Sequence, residues 1–425
     1  MMRDHIESIP AMNSDPDIAI IGAGAAGIGA ARRLAGGGFS VSILEALPRL
    51  GGRAWTYETP VAAVDLGCGW LHSADRNPWT RIAEEKGFVV DRGPTAWGEQ
   101  FRDLGFPKAE REAAGRAFAR WSERISTTPP VSDRASDALD PDSPWIAYLQ
   151  ALSGYISGDE LEHISAMDYA AYNMASTGCN WRVPTGYGTV ISSSLPAGIE
   201  LHLATAIEAL TFEGRRIALR TSSGTLRPRA AICTVSTNVL AGDSTIWPSV
   251  LDPWRDAAAR LPLGSNEKLF LEIVGDSPFA PESYVIGDAH DPATGAYYIR
   301  PFGSQVIECF LGGAGARAIA ADGSDAGFAR AIDQLAELFG SSVRRCLHPL
   351  VASDWSGTAS IGGAYSHALP GQVDARSALA RPFDDRLFFA GEATHTTDFS
   401  TAHGAYGSGV RAAEQAIAAL APNLR

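Results

Sequence analysis

Short apolar runs alternate along the chain with stretches of helical spacing. The first apolar run, residues 17–21, leads into a glycine-rich turn, an alanine-rich stretch to about residue 34, three glycines, and a second β-rich run over residues 40–45. Glycines just past a helical stretch are typical of a helix C-terminus. The pattern therefore predicts a strand–helix–strand unit and, with it, a parallel sheet.

The rest of the chain divides into helical and β-rich blocks. Residues from about 105 to 180 are rich in Ala, Glu and Arg with spaced aromatic residues, which predicts helices interrupted by a Pro- and Ser-rich loop near residues 129–144. Short β-rich runs follow residue 186, and the two that flank Glu213 and Gly214 predict a hairpin. The remaining pattern predicts short strands within residues 268–310, an amphipathic helix over 326–338, and a final strand followed by a helix from about 404 to 420.

The turn after the first run carries the pattern G-x-G-x-x-G, formed by Gly22, Gly24 and Gly27, with Ala26 inside it. The first glycine permits a tight turn, the second lets a pyrophosphate approach the backbone, and the third lets the helix pack closely on the strand. The helix N-terminus then offers N–H groups and the positive end of its dipole to the phosphates. Because the pattern lies between a strand and a helix, it predicts a dinucleotide site.

A second element that faces the dinucleotide follows directly. Glu45 ends the second run, about twenty residues past the glycines. In dinucleotide sites an acidic residue at this distance accepts hydrogen bonds from ribose hydroxyls. Glu45 is followed by Ala46 and by the pattern R-x-G-G-R, made of Arg49, Gly51, Gly52 and Arg53. Arginines pair with phosphate and glycines let the backbone come close. Two such motifs in succession resemble the FAD fingerprint of the glutathione-reductase-like superfamily and favour FAD over NAD.

Because β-rich and helical blocks alternate, we expect two domains, each built from separated stretches of chain. The predicted fold class is α/β (α+β overall), with a Rossmann-like FAD-binding domain of the glutathione-reductase-like type and an interleaved substrate domain of mixed sheet and helices. The predicted boundaries are a flexible N-terminal tail over residues 1–16, an FAD-binding domain made of 17–80, 182–264 and 354–425, and a substrate-binding domain made of 81–181 and 265–353.

Composition argues against several other classes of protein. The formal net charge of -13 disfavours binding to nucleic acid or to anionic membranes. The 5 cysteines include no C-x-x-C pair, so neither a disulfide framework nor a metal site is expected and a reducing compartment fits. The N-terminal tail lacks the apolar core of a signal peptide, and no run of about 18 uncharged apolar residues occurs. We expect a cytoplasmic protein without a membrane span.

Nearly the whole chain, from about residue 17 to residue 420, resembles the flavin-containing amine oxidase family, which includes monoamine oxidases, polyamine oxidases and histone-lysine demethylases. Besides the two FAD motifs, the most specific part is the block FFAGEATHTTDFSTAHGAYGSGVRAA. Gly391 and Glu392 resemble the family's Gly-Glu pair, whose carboxylate holds ribityl or ribose hydroxyls. Thr401 and Ala402 lead into the last helix, and the resemblance places its N-terminus at the pyrimidine end of the flavin ring, where it stabilises negative charge.

The segment DLGCGWLHSADRNPW resembles the one in which acetylpolyamine and spermine oxidases carry Trp-Ile-His-Gly. His72 matches the histidine of that motif, which implies that it binds a substrate nitrogen or tunes amine protonation, with Gly69 and Trp70 beside the flavin. L-Amino acid oxidases have a carboxylate-binding arginine here. In this chain Trp70 occupies that place and no arginine follows before Arg76, which favours amines over amino acids.

Two more segments resemble catalytic parts of the family. Lys268, in GSNEKLFLEI, resembles the lysine that reaches the flavin N5 through a water, where a buried cation stabilises developing negative charge and assists the reaction of reduced flavin with oxygen. In DWSGTASIGGAYSHALPG the resemblance places Trp355 near the flavin and that lysine. It makes Tyr365 one wall of an aromatic cage around the amine.

The same comparison shows departures from the monoamine oxidases. Thr401 stands where they have a second cage tyrosine, so the cage is half-built, as in demethylases and some polyamine oxidases. Ala364 stands in place of their flavin-linking cysteine, which implies non-covalent FAD. A weaker match places the backbone of Ile207 at the adenine.

The resemblance implies oxidation of the C–N bond of a polyamine-like or other primary or secondary amine. A hydride would pass to flavin N5 to leave an imine, and molecular oxygen would reoxidise the flavin and give hydrogen peroxide. We expect a monomer or homodimer. The alternatives are an enzyme of the same fold that oxidises a C–C bond or an L-amino acid, a specialised biosynthetic amine or amide oxidase, and a flavin-binding protein without turnover.

Overall fold

The computed structural model describes residues 15–242 and 245–421 of the 425-residue chain, so the predicted tail over residues 1–16 lies almost wholly outside the described residues. The strands, in chain order, are Ile18–Ile21 (β1), Val41–Leu44 (β2), Thr56–Glu58 (β3), Ala63–Asp65 (β4), Leu71–His72 (β5), Asn180–Trp181 (β6), Glu200–His202 (β7), Ile207–Glu213 (β8), Arg216–Thr221 (β9), Gly224–Leu226 (β10), Ala230–Cys233 (β11), Asn266–Ile273 (β12), Ser283–Ile286 (β13), Ala296–Ile299 (β14), Val306–Gly312 (β15), Leu347–Ala352 (β16) and Leu387–Phe389 (β17). The α-helices are Ala25–Leu34 (α1), Pro78–Glu85 (α2), Lys108–Thr127 (α3), Ile146–Ser157 (α4), Ala166–Ala175 (α5), Tyr187–Ser192 (α6), Thr237–Ala241 (α7), Asp252–Ala259 (α8), Ala314–Asp322 (α9), Ser324–Phe339 (α10), Ala375–Leu379 (α11) and Ala402–Leu420 (α12).

The predicted strand–helix–strand unit forms the centre of a five-stranded parallel sheet with the order β17-β11-β1-β2-β7. Every residue of β1, β2 and β11 is buried, as is usual for parallel strands covered on both faces. Helices α1 and α12 pack together on one face of this sheet. Their backbones come close because Gly409 has no side chain: a Cβ there would lie 2.0 Å from the carbonyl oxygen of Ala26. This packing brings the C-terminal block to the N-terminal glycine turn.

A second, antiparallel sheet has the order β13-β14-β15-β12-β16. Helices α9 and α10 cover one of its faces, where Leu269, Leu271 and Tyr297 pack in a buried cluster with Leu335. Because side chains alternate along a strand, the neighbouring positions point to the opposite face. That opposite face carries Lys268.

The predicted helical block comprises α3, α4 and α5, which share a core of their own, and the proline-rich loop lies between α3 and α4. The predicted hairpin is confirmed: β8 and β9 pair around the turn, with Glu213 opposite Arg216, and β10 extends the sheet to three strands. Within residues 15–242 and 245–421, no helix is both long enough and apolar enough to cross a bilayer. The domain boundaries given above stay a prediction.

Candidate active site

The glycine turn and the R-x-G-G-R segment lie side by side. Gly22 has a φ of 104°, and a Cβ on Gly27 would lie 2.0 Å from the carbonyl oxygen of Gly22, so neither position accepts a larger residue without strain. Gly24 forms a parallel bridge with Gly51, and a Cβ on Gly52 would lie 3.3 Å from the Gly24 Cα. The two predicted phosphate motifs thus form one backbone cradle, where the first residues of α1 include Ala26. This cradle fits the diphosphate of a dinucleotide.

Glu45 is buried at the end of β2, next to that cradle. One carboxylate oxygen accepts a hydrogen bond from the backbone N–H of Ala23 at 2.6 Å, and the other accepts from the N–H of Leu47 at 2.8 Å, with Ala46 between β2 and that loop. Burial raises the pKa of Glu45 above its ordinary value, although these hydrogen bonds oppose the rise. A carboxylate in this place has the acceptor oxygens that a ribose requires.

The two arginines of the second motif differ in their contacts. The guanidinium of Arg49 lies 4.1 Å from the ring centre of Trp55 and donates to the carbonyl of Gly52 at 2.8 Å. Burial lowers the pKa of Arg49 to about 10. Arg53 instead donates to a carboxylate oxygen of Glu392 at 3.0 Å and to the carbonyl of Ala364. Arg49 therefore fixes the shape of the loop, and Arg53 joins the N-terminal motifs to the C-terminal block.

Glu392 accepts hydrogen bonds from several parts of the chain. Its donors are Arg53, the N–H and hydroxyl of Ser366 at 3.1 and 2.7 Å, and the N–H of Ser400 at 2.9 Å. Burial alone would raise the pKa of Glu392, but the positive charges of Arg53 and Arg376 and the hydrogen bonds from Ser366 and Ser400 together outweigh it and hold the pKa below its ordinary value. Gly391, the residue before Glu392, has a φ of 132°, a backbone conformation that favours glycine. The predicted Gly-Glu pair is thus an ionised, fixed acceptor.

A buried ion pair behind Glu392 was not found by sequence analysis. Arg376 is 0% exposed, and it makes two hydrogen bonds to Asp168 of α5, at 2.6 and 2.7 Å. The same guanidinium donates to the hydroxyl of Ser366 at 3.0 Å. Asp168 and Arg376 are 208 residues apart, and nothing in either local sequence indicates the pairing.

Helix α12 begins beside Glu392. The Thr401 hydroxyl accepts from the N–H of Gly404 at 3.0 Å and donates to the carbonyl of Asp398 at 2.6 Å, so this side chain caps the helix. The carbonyl of Ala402 accepts from the Trp79 indole at 3.1 Å. Thr401 thus orients the N-terminus of α12, and the position of that N-terminus at the flavin ring stays a prediction from the resemblance.

Lys268 is a buried cation of the site. Its ammonium lies 2.8 Å from a carboxylate oxygen of Glu308 and donates to the carbonyl of Asp65 at 3.0 Å. A Cβ on Gly69 would lie 3.4 Å from this ammonium, so Gly69 leaves the space open. Sequence analysis missed Glu308; the available signal was the alternation along β15, which places it on the same sheet face as Lys268.

Of the two aromatic residues of the Trp355–Tyr365 segment, Trp355 is buried and Tyr365 is half-buried, and the polar atom of each side chain has a hydrogen-bond partner. The Trp355 indole donates to the carbonyl of Leu66 at 3.1 Å, and its ring meets that of Trp55 edge to face at 6.4 Å. The Tyr365 hydroxyl donates to the carbonyl of Tyr155, and burial raises the pKa of Tyr365 well above its ordinary value. Tyr365 is therefore a neutral ring with a fixed orientation.

His72 belongs to an aromatic cluster near Lys268. It pairs with Asn180 through the short sheet of β5 and β6, and its Nδ1 lies 2.7 Å from the amide oxygen of Asn180. Burial is the main cause that lowers the pKa of His72 below its ordinary value. Its ring lies 5.8 Å from that of Trp97, which lies 4.3 Å from that of Trp70.

The cluster reaches the antiparallel sheet through Tyr298, whose ring lies 5.7 Å from that of Trp70. Tyr298 stands opposite Glu308 in the register of β14 and β15. Ile207, the residue predicted to meet the adenine, does not belong to this cluster. It lies at the start of β8, where it pairs with Thr221. The structure thus brings His72, Trp70 and Lys268 to one region.

The family of the chain follows from a match over most of its length. A family model described as flavin containing amine oxidoreductase matches residues 77–417, and one described as an NAD(P)-binding Rossmann-like domain matches residues 20–86. The chain belongs to the flavin-containing amine oxidoreductase family. This amine oxidoreductase therefore uses FAD, and the glycine cradle, Glu45 and Glu392 are the described groups that fit it.

Individual relatives resemble the amine oxidoreductase at modest identity. Polyamine oxidase 3 of Oryza sativa subsp. japonica is 26% identical, over 96% of this chain and 90% of the relative. Pseudooxynicotine dehydrogenase of a Pseudomonas species is 24% identical, over 89% of this chain and 82% of the relative. A solved structure of a putrescine oxidase double mutant, redesigned for cofactor binding, superposes with a TM-score of 0.73 at 17% identity and covers 95% of this chain and 99% of its own. This last likeness confirms the predicted fold.

Proposed function

We propose that the enzyme oxidises the C–N bond of a polyamine-like or other primary or secondary amine to an imine, with molecular oxygen as the final acceptor and hydrogen peroxide as a product. The observation that carries the proposal is the grouping of the buried Lys268–Glu308 pair with the ring faces of Trp70 and Tyr298. A carboxylate and aromatic faces attract a cationic or polarised nitrogen. Polyamine oxidases among the relatives support the same class of substrate.

Each residue of the site has a proposed part in the reaction. Bound FAD supplies the acceptor for the hydride that leaves the carbon next to nitrogen. Lys268 holds a positive charge in a buried place, where it stabilises negative charge that develops during reduction and assists the reaction with oxygen. Trp355 supplies a buried ring and Tyr365 a half-buried one, and the two rings orient the amine and exclude water.

His72 is proposed to control the protonation of the amine. Since burial lowers the pKa of His72, the imidazole is neutral near pH 7 and can accept a hydrogen bond or a proton from the incoming ammonium group. Its Nδ1 already faces the Asn180 amide oxygen, so Nε2 is the nitrogen left to accept. Glu308 would hold the cationic end of the amine close to this base.

We also propose that FAD is held without a covalent bond, because Ala364 has no nucleophilic sulfur, and that the enzyme works in the cytoplasm, where its free cysteines stay reduced. Acid precipitation should then release all the yellow colour into the supernatant. Flavin that stays with the precipitate would contradict non-covalent binding.

Water hydrolyses the imine to an aldehyde and releases the amine or ammonia, so the reaction is tested by recording oxygen uptake, peroxide and aldehyde with a panel of amines. The panel holds spermine, spermidine, acetylated polyamines, putrescine, benzylamine, cyclic amines and L-amino acids. Equal amounts of oxygen consumed and peroxide and aldehyde formed with one class of amine would support the proposal. Turnover with L-amino acids alone would contradict it.

A further inference from the structure

Arg182 is a buried guanidinium inside the aromatic cluster beside Lys268. The residue is 8% exposed, and its guanidinium carbon lies 4.1 Å from the ring centre of Phe302 and 5.1 Å from those of Trp70 and Tyr298. It follows β6, which pairs with β5, so it reaches Trp70 from a distant part of the sequence. The fold thus places an arginine beside Trp70, although the sequence has none between Trp70 and Arg76.

One end of this guanidinium is fully bound and the other is not. Nη2 donates to Asp91 at 2.8 Å and to Glu282 at 2.9 Å. Nη1 is buried and has no hydrogen-bond partner among the described residues. Buried donors without a partner are rare in folded proteins, because each keeps the cost of its lost hydration. A ligand that brings an acceptor would satisfy this free donor.

The free donor is close to the proposed reaction centre. Trp70 follows Gly69, at which a Cβ would lie 3.4 Å from the Lys268 ammonium. Tyr298 stands opposite Glu308, the carboxylate that binds Lys268. Arg182 thus contacts two rings, those of Trp70 and Tyr298, whose own neighbours lie at the Lys268–Glu308 pair.

The surrounding charges restrict the chemistry of that acceptor. Arg182 carries one positive charge, while Asp91 and Glu282 carry two negative charges, so the group has a net charge of -1. A substrate carboxylate would be repelled by this group, whereas an uncharged oxygen would not. We propose that Arg182 is a specificity-determining residue whose Nη1 binds an uncharged oxygen acceptor of the amine substrate, as an amide, ketone or hydroxyl has, away from the reacting carbon. This rests on the proposed amine oxidation.

The test uses one amine skeleton ending in an amide, a ketone, a hydroxyl, a carboxylate or a methyl group. The rate of anaerobic flavin reduction and its half-saturating concentration give a preference ratio for each oxygen-bearing amine over the methyl-ended one. A hydrogen bond to a charged donor predicts a ratio of about 10 to 100 for the amide or ketone. Arg182→Lys keeps a positive charge for Asp91 and Glu282, but its single nitrogen cannot also replace Nη1. The preference ratio for the amide or ketone should therefore fall towards 1.

Arg92→Lys is the matched control. Arg92 also lies over an aromatic ring, 4.7 Å from that of Trp181, and pairs with Glu84, but on the surface. This variant should keep the wild-type ratio. An Arg182→Lys enzyme with the wild-type ratio, or a wild-type enzyme that prefers the carboxylate-ended amine, would overturn the proposal.

A second variant tests the charge argument without removing Arg182. Glu282→Gln removes one negative charge and should increase the relative binding of the carboxylate-ended amine by several fold; no increase would count against the stated choice of an uncharged acceptor. The two proposals fail in different ways. If none of the amines reduces a flavin that dithionite reduces normally, amine oxidation itself is wrong, whereas amine oxidation with unchanged ratios disproves only the role of Arg182.

Discussion

The ammonium of Lys268 lies 2.8 Å from a carboxylate oxygen of Glu308, and the two side chains leave the same face of the antiparallel sheet. In the register of β12 and β15, Lys268 stands opposite Phe310, so Glu308 is its diagonal neighbour. The pair is largely buried, with 9% of the lysine side chain and 21% of the glutamate side chain exposed. It fixes the ammonium between a carboxylate and the Asp65 carbonyl, beside the aromatic cluster.

Lys268→Met removes the buried positive charge that the account assigns to the reaction with oxygen. We expect reoxidation of the reduced flavin to slow by about 100-fold, the cost of losing one preorganised electrostatic contact. Stopped-flow mixing of the reduced enzyme with oxygenated buffer measures this rate. Lys108→Met, at the exposed start of α3, is the control and should react at the wild-type rate. A Lys268→Met enzyme as fast as this control would show that Lys268 does not assist the reaction with oxygen.

Arg376→Met leaves the carboxylate of Asp168 buried without its partner. Breaking a buried ion pair in this way costs about 3–5 kcal/mol of the free energy of unfolding. Because Arg376 also donates to Ser366, which binds Glu392, we expect weaker retention of FAD as well. Urea unfolding and dialysis against FAD-free buffer measure the two effects.

The exposed pair of Arg33 and Glu414 provides the control for this change. Their side chains are 44% and 56% exposed, so Arg33→Met should cost less than about 1 kcal/mol and leave FAD retention unchanged. If Arg376→Met were as mild as Arg33→Met, the buried network would have no part in holding Glu392.

Three histidines, of which His367 is buried and His72 and His395 are half-buried, predict a loss of stability in mild acid. Burial is the main cause that lowers the pKa of His72, His367 and His395. Because these pKa values are lower in the folded state, the unfolded chain binds more protons below about pH 6.5, and the stability present above that pH is lost as the pH falls. We expect a smaller free energy of unfolding at pH 5.5 than at pH 8. His367→Phe should flatten this dependence and His348→Asn, at an exposed position, should not. Equal stability at the two pH values would contradict the prediction.

Gly27→Ala tests the dinucleotide cradle. The added Cβ would lie 2.0 Å from the carbonyl oxygen of Gly22, so α1 must move away from β1. We expect the affinity for FAD to fall at least about 10-fold, as judged by titrating the apoprotein. Gly115→Ala, in α3 with nothing within 4 Å of the new Cβ, should leave FAD affinity unchanged and stabilise its helix by up to about 1 kcal/mol. Normal FAD binding by Gly27→Ala would place the cofactor elsewhere.

Local patterns in the sequence predict much of this molecule. The strand–helix–strand unit around Gly22 to Glu45 and the hairpin at Glu213 depend on neighbouring residues, and both are present. The structure adds partners that come from far along the chain: Glu308 for Lys268, Asp168 for Arg376, and Arg182 for Trp70. Each of these contacts depends on the register of strands or on helix packing, which spacing within one segment does not encode.

Anaerobic mixing of the oxidised enzyme with the amine panel tests the central claim most directly. We expect one class of amine to abolish the oxidised flavin absorbance, at a rate that rises with amine concentration and falls when the hydrogen on the carbon next to nitrogen is replaced by deuterium. The absence of bleaching by every amine, for a flavin that dithionite reduces normally, would contradict amine oxidation and favour an enzyme of the same fold that acts on a C–C bond.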